Sequence, residues 1–76
     1  MEELLKSIVL ALVEFPDEIS VTTIEKDGET TLELKVAPTD MGKVIGKQGR
    51  IAKAIRVVVK AAGSKESKNY GVEIVQ

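Results

Sequence analysis

The sequence predicts an α+β fold in which the chain runs αββααβ and builds a three-stranded mixed sheet with its helices packed on one face. Three observations predict it. Apolar residues repeat at helical spacing near the N-terminus and again between residues 50 and 62. Two segments rich in β-branched residues meet at an Asp-Gly pair, and the last residues alternate apolar with polar. At 76 residues the chain has room for a single domain, residues 1–76, whose small core would gain from a partner subunit.

Leu4, Leu5, Ile8, Val9 and Leu12 share one helix face, so Glu2 to Glu14 is expected as an amphipathic helix ended by Pro16. Leu10 and Val13 fall off that face and are expected to cover a neighbouring element. The apolar stretch Leu4 to Phe15 lacks a basic start and a small-residue cleavage site, and it is interrupted by Lys6 and Glu14, which makes it a mature helix and not a signal peptide. It is also shorter than the roughly 20 apolar residues that cross a bilayer. A cytoplasmic protein without a membrane partner is expected.

Ile19 to Lys26 is rich in Ile, Val and Thr, and in Thr31 to Ala37 the residues Leu32, Leu34 and Val36 alternate with Glu33 and Lys35. Asp27-Gly28 between them tolerates the positive φ of a tight turn, so the two strands should pair antiparallel. Pro38-Thr39-Asp40 stops the second strand and offers a hydroxyl or carboxylate cap to a short helix from about Asp40 to Ile45. A longer helix is expected over Arg50 to Ala62, with Ile51, Ala54, Ile55, Val58 and Ala62 on one side and Arg50, Lys53, Arg56 and Lys60 on the other. Val57 falls among the basic residues, and Gly63 and Ser64 are expected to end the helix. Ser64 to Asn69 reads as a loop, and Tyr70, Val72 and Ile74 mark the final strand. The helical crossover allows this strand to lie parallel to the second, with a right-handed connection.

The net charge of −1 conceals a strong asymmetry. Residues 41–63 hold Lys43, Lys47, Arg50, Lys53, Arg56 and Lys60 with no acid, 6 of the 11 basic side chains, which leaves 5 basic against 12 acidic residues, or −7, elsewhere. Such a segment either orients the protein on a polyanion or is a solvated helix face, and charge alone does not decide between them. The chain has no Cys and no His, which removes thiol nucleophiles, imidazole bases and the commonest metal ligands. No enzyme activity, metal or cofactor is expected.

The most informative segment is Gly46-Lys47-Gln48-Gly49 between the two later helices. Glycines there lack the β-carbons that would hold a sugar-phosphate chain away from the backbone. The loop feeds the start of a helix, where unpaired amides favour an anion, and Lys47, Gln48 and Arg50 add donors. The same glycines could equally cap one helix and begin the next. A Walker loop is excluded by the spacing of Gly42 and Gly46 and by Gln48 where Ser or Thr would hold magnesium, and a dinucleotide fingerprint by the absence of a preceding strand.

With the motif Val44-Ile45-Gly46-Lys47-Gln48-Gly49-Arg50 between two helices, the chain resembles the KH domain family, and its element order resembles the type II KH fold. More narrowly, it is similar over nearly its whole length to the KhpA family of small bacterial single-KH RNA-binding proteins, most closely from Val36-Ala37-Pro38 to Val59-Lys60-Ala61-Ala62. The resemblance implies binding of about four nucleotides of single-stranded RNA, with the backbone held at the glycine loop. It implies RNA contacts at Lys43, Gly46, Lys47, Gln48, Gly49, Arg50 and Lys53, and an apolar groove supported by Val44, Ile45 and Ile51. That groove would be bounded by the two flanking helices, the second strand and the Lys26 to Glu29 hairpin. Phe15 and Tyr70 are the only aromatics, which argues against a fold that stacks bases on rings. The resemblance further implies a homodimer, a larger KH-containing partner of the KhpB kind, RNA chaperone activity and links to cell length and peptidoglycan homeostasis. Single-stranded DNA remains an alternative ligand, because phosphate contacts do not distinguish the sugars. The alternative function is a dimerisation and partner-docking subunit with little direct RNA affinity.

Overall fold

The computed structural model describes residues 1–75. One sheet has the strand order β1-β2-β3, with β1 at Ser20–Lys26, β2 at Glu29–Lys35 and β3 at Tyr70–Val75. β1 pairs antiparallel with β2 and Lys26 faces Glu29, so Asp27 and Gly28 are the whole turn. Their φ values of 53° and 80° are the positive pair that a two-residue hairpin requires. β3 runs parallel to β2, with Leu32 opposite Val72. The mixed sheet and helical crossover agree with the sequence.

The helices are α1 at Glu2–Leu10, α2 at Met41–Ile45 and α3 at Arg50–Lys65, with 3₁₀ turns at Pro16–Glu18, Pro38–Asp40 and Lys47–Gly49. Strand alternation puts Leu32, Leu34 and Val72 on one face of the sheet, where they meet Leu5 and Val9, Val44, and Ile55 and Val59 from the three helices. Fully burying such a side chain contributes about 1.5–3 kcal/mol, so this shared apolar face holds the helices to the sheet. On the other face Thr22, Glu33 and Glu73 lie in register across the three strands. Two carboxylates side by side suit only a solvated surface.

The first helix is shorter than its periodicity predicts. Val13 still donates to the Val9 carbonyl at 3.2 Å, but the amides of Glu14 and Phe15 turn away to the two oxygens of Asp40, at 3.1 and 3.0 Å. Asp40 therefore ends the helical path before Pro16, which opens a 3₁₀ turn instead. The same contact corrects the expected cap, since no side chain caps α2. Leu4 and Leu10 are exposed, whereas Val13 packs against the core.

At the other end α3 is longer than expected and presents a different face. Ala52, Ile55, Val59 and Gly63 are buried, while Ala54 and Val58 face solvent. A Cβ at Gly63 would overlap the Tyr70 ring, so this glycine lets strand and helix approach closely and is not a stop signal. The helix instead closes four residues later with Ser67 at φ 58°. Lys68 donates to the Gly63 carbonyl at 2.9 Å and Ser67 to the Ser64 carbonyl at 3.1 Å, a Schellman motif.

Candidate nucleic-acid interface

Leaving α2, the chain turns on Gly46 at φ 75°, ψ 174°, a conformation essentially restricted to glycine. A Cβ there would stand 2.6 Å from Cγ1 and 2.9 Å from Cδ1 of Ile51, so the loop is folded tightly onto the first turn of α3. Gln48 at φ 58° and Gly49 at φ 73° are left-handed as well. Around Gly49, by contrast, nothing lies within 4 Å of where a Cβ would be. The two glycines thus serve different ends: Gly46 is needed for packing and backbone shape, Gly49 for backbone shape and an open surface.

Lys47, Gln48, Arg50 and Lys53 are all exposed around this turn, and Arg50 Nη2 donates to Gln48 Oε1 at 3.4 Å. The first turn of α3 has no side-chain cap and no acidic residue. Cations at the positive end of a helix are unfavourable by roughly 0.3–1 kcal/mol each, and a bound anion would reverse that sign. The site is electrostatically unbalanced in the direction that an anion corrects. Beneath it Val44 is fully buried, and Ile45 and Ile51 are partly buried against the core.

Lys43 stands apart from the other cations because its charge is already engaged. Its Nζ lies 2.6 Å from Glu14 Oε1 and 3.6 Å from Asp40 Oδ1. The bond to Glu14 is the main cause that raises its pKa above the ordinary 10.5, against burial, which lowers it. Burial opposes the charge on Asp40, yet the Glu14 and Phe15 amides and the Lys43 ammonium outweigh it and hold the carboxyl below its ordinary 3.8. Glu14 and Asp40 lie 26 residues apart, and no local pattern in the sequence links them.

The strand bordering the exposed flank of α3 is β3 and not the second strand. β2 is the central strand and its Leu32 and Leu34 are fully buried, so these two residues are not open beside α3. Along this junction Arg56 Nε donates to the Val72 carbonyl at 3.3 Å, and Lys60 lines a cleft of about 230 Å³ with Tyr70 and Gly71 of β3 and with Glu29, Thr30 and Thr31 at the start of β2. Arg56 and Lys60 therefore lie along the boundary between α3 and β3. The Asp27-Gly28 turn lies at the far end of this boundary, beside Ser67 to Asn69. The 16 residues of α3 separate it from the glycine loop by roughly 24 Å, at about 1.5 Å per residue.

The model of the KhpA/KhpB KH domain matches residues 2–74, from the first turn of α1 to β3. The chain belongs to the KhpA/KhpB family. Within that family, it is 59% identical over 75 residues to the RNA-binding protein KhpA of Clostridium acetobutylicum, covering 99% of this chain and 100% of that protein. The KhpA protein of Caldanaerobacter subterraneus subsp. tengcongensis is also 59% identical with the same coverage. That of Listeria monocytogenes serovar 1/2a is 53% identical over 76 residues, 100% of both chains. No solved structure matches the chain. Among the described residues, no helix is long and apolar enough to cross a membrane.

Proposed function

We propose that the protein is a cytoplasmic RNA-binding KH module that holds a short single-stranded RNA segment at Gly46-Lys47-Gln48-Gly49 and along the α3 and β3 boundary. The KhpA relatives carry the name RNA-binding protein, which supports the ligand class. The observation that carries the reading is the left-handed glycine loop at the uncapped start of α3, with Lys47, Gln48, Arg50 and Lys53 exposed around it. The loop reads phosphate, and a stretch of about four nucleotides follows from the KH resemblance. Val44, Ile45 and Ile51 support the loop from below. No enzymatic step belongs to this reading, and RNA chaperone or post-transcriptional activity, with effects on cell length and peptidoglycan homeostasis, is its cellular form.

A homodimer is the second element of the reading. Ala54, Val57, Val58 and Ala61 form an exposed helical stripe on α3, and Val57 alone is 67% exposed. An apolar stripe at this spacing suits helix-to-helix contact with a second copy, or with a larger KH-containing protein of the KhpB kind. The dimer would place two glycine loops on one particle and raise affinity for longer RNA through effective concentration.

The test is fluorescence anisotropy of labelled single-stranded RNA and DNA with wild type and a Lys47→Asp, Gln48→Asp variant at two salt concentrations, after circular dichroism shows equal folding. Salt-sensitive RNA binding that the variant loses is the expected result. Equal binding by both proteins would remove the loop from the mechanism, and absence of binding by wild type would favour the docking subunit.

A further inference from the structure

Among the described residues, Lys43 is the one expected RNA contact whose ammonium is held by carboxylates. The two carboxylates are not equivalent. Asp40 is fully buried and its oxygens accept the amides of Glu14 and Phe15, so two further bonds besides Lys43 anchor it in the fold. Glu14 has a 69% exposed side chain, and its carboxylate is tied to the rest of the protein by the 2.6 Å contact with Lys43. The backbone of Glu14 is anchored on Asp40, which keeps that carboxylate within reach of the ammonium. Lys43 lies one helical turn before Gly46, on the approach to the loop.

We infer that Glu14 is an intramolecular stand-in for RNA phosphate: it occupies Lys43 in the free protein and yields it when a phosphate reaches the glycine loop. The inference rests on the RNA-binding reading above and adds to it a residue from outside the KH motif that sets affinity. An exposed ion pair in water is weak and exchangeable, and a phosphate oxygen can replace a carboxylate oxygen on the same ammonium. Glu14 then attenuates binding twice, by neutralising a cation and by placing a negative charge where the strand approaches. It also favours discrimination, since a ligand must carry a phosphate at that point to release the lysine.

The experiment is a double-mutant cycle on the full chain, with labelled single-stranded oligoribonucleotide as the probe. Glu14→Gln keeps the backbone amide that donates to Asp40, so the fold is retained, and urea melts verify this. The expected result is RNA binding about two- to fivefold tighter than wild type, the size of one exposed ion pair. The slope of log K against log salt should steepen by about 0.7, the value for one further phosphate contact on a single strand. In the Lys43→Gln background the same Glu14→Gln change should give little gain. Equal affinity of wild type and Glu14→Gln overturns the inference, as does a gain of the same size without Lys43, which would reflect net charge alone. Lack of RNA binding by every variant overturns instead the reading on which the inference rests.

Discussion

The two glycines of the loop should respond very differently to the same substitution. In Gly46→Ala the new Cβ meets Ile51 Cγ1 at 2.6 Å, and the backbone must hold φ 75°, ψ 174°. The backbone strain costs about 1–3 kcal/mol and the overpacking about 1–3 more. Gly49→Ala meets no atom within 4 Å and keeps only the left-handed cost of roughly 1–2 kcal/mol. Folded domains hold about 0.05–0.15 kcal/mol of stability per residue, so in a chain of 76 residues the first substitution removes a large share. Urea denaturation followed by circular dichroism measures both. Adding Ile51→Ala to Gly46→Ala should return the part due to overpacking and leave the backbone part. Equal losses for the two glycine variants, or no coupling between Gly46 and Ile51, would refute the packing argument.

Three other outcomes follow from the same kind of reasoning. Ser67→Gly, at the left-handed residue that closes α3, should raise the melting temperature by a few degrees, because about 1 kcal/mol of backbone strain is worth roughly 4–8 °C in a domain of this size and glycine returns part of it as entropy. Gly63→Ala should destabilise the protein although alanine is the better helix former, because its Cβ overlaps the Tyr70 ring, and thermal melts of Gly63→Ala with and without Tyr70→Ala should show the loss shrink in the double variant. Asp40, whose folded pKa lies below 3.8, contributes stability that is present above that value and lost as pH falls through the lower folded one, so wild type should lose stability between pH 5 and pH 3 more steeply than Asp40→Asn in denaturant titrations.

Much of the fold was legible because its signals are local. The Asp27-Gly28 turn sets the hairpin register by itself, and the alternation of Leu32 and Leu34 assigns the buried face of β2. The glycine loop could be found because its residues are consecutive, and the KH motif carried the family. What was not legible depends on partners distant in sequence. Nothing near Glu14 announces that Asp40 will take its amide, so α1 was expected to run on to Glu14. Gly63 reads as a helix stop until Tyr70 is placed against it, and the face of α3 rotates accordingly. Ala54 and Val58 are apolar and at helical spacing, and periodicity cannot tell a core stripe from one turned outward. That β3 packs beside α3 while β2 is central was not legible either, because strand order is a property of the sheet and not of one strand's own residues.

The packing of Tyr70 on Gly63 also gives the protein a built-in optical probe. The chain has one tyrosine and no tryptophan, so its tyrosine emission comes from a single known place. The phenol hydroxyl reaches Glu66 Oε2 at 3.4 Å, and the ring spans the junction of α3 with β3 at the end away from the glycine loop. Tyrosine emission therefore reports whether that junction is closed, without a label and without contact with a ligand at the loop. A ligand that only docks at Gly46 to Gly49 leaves the emission unchanged, whereas one that shifts α3 as a rigid rod is seen from its opposite end.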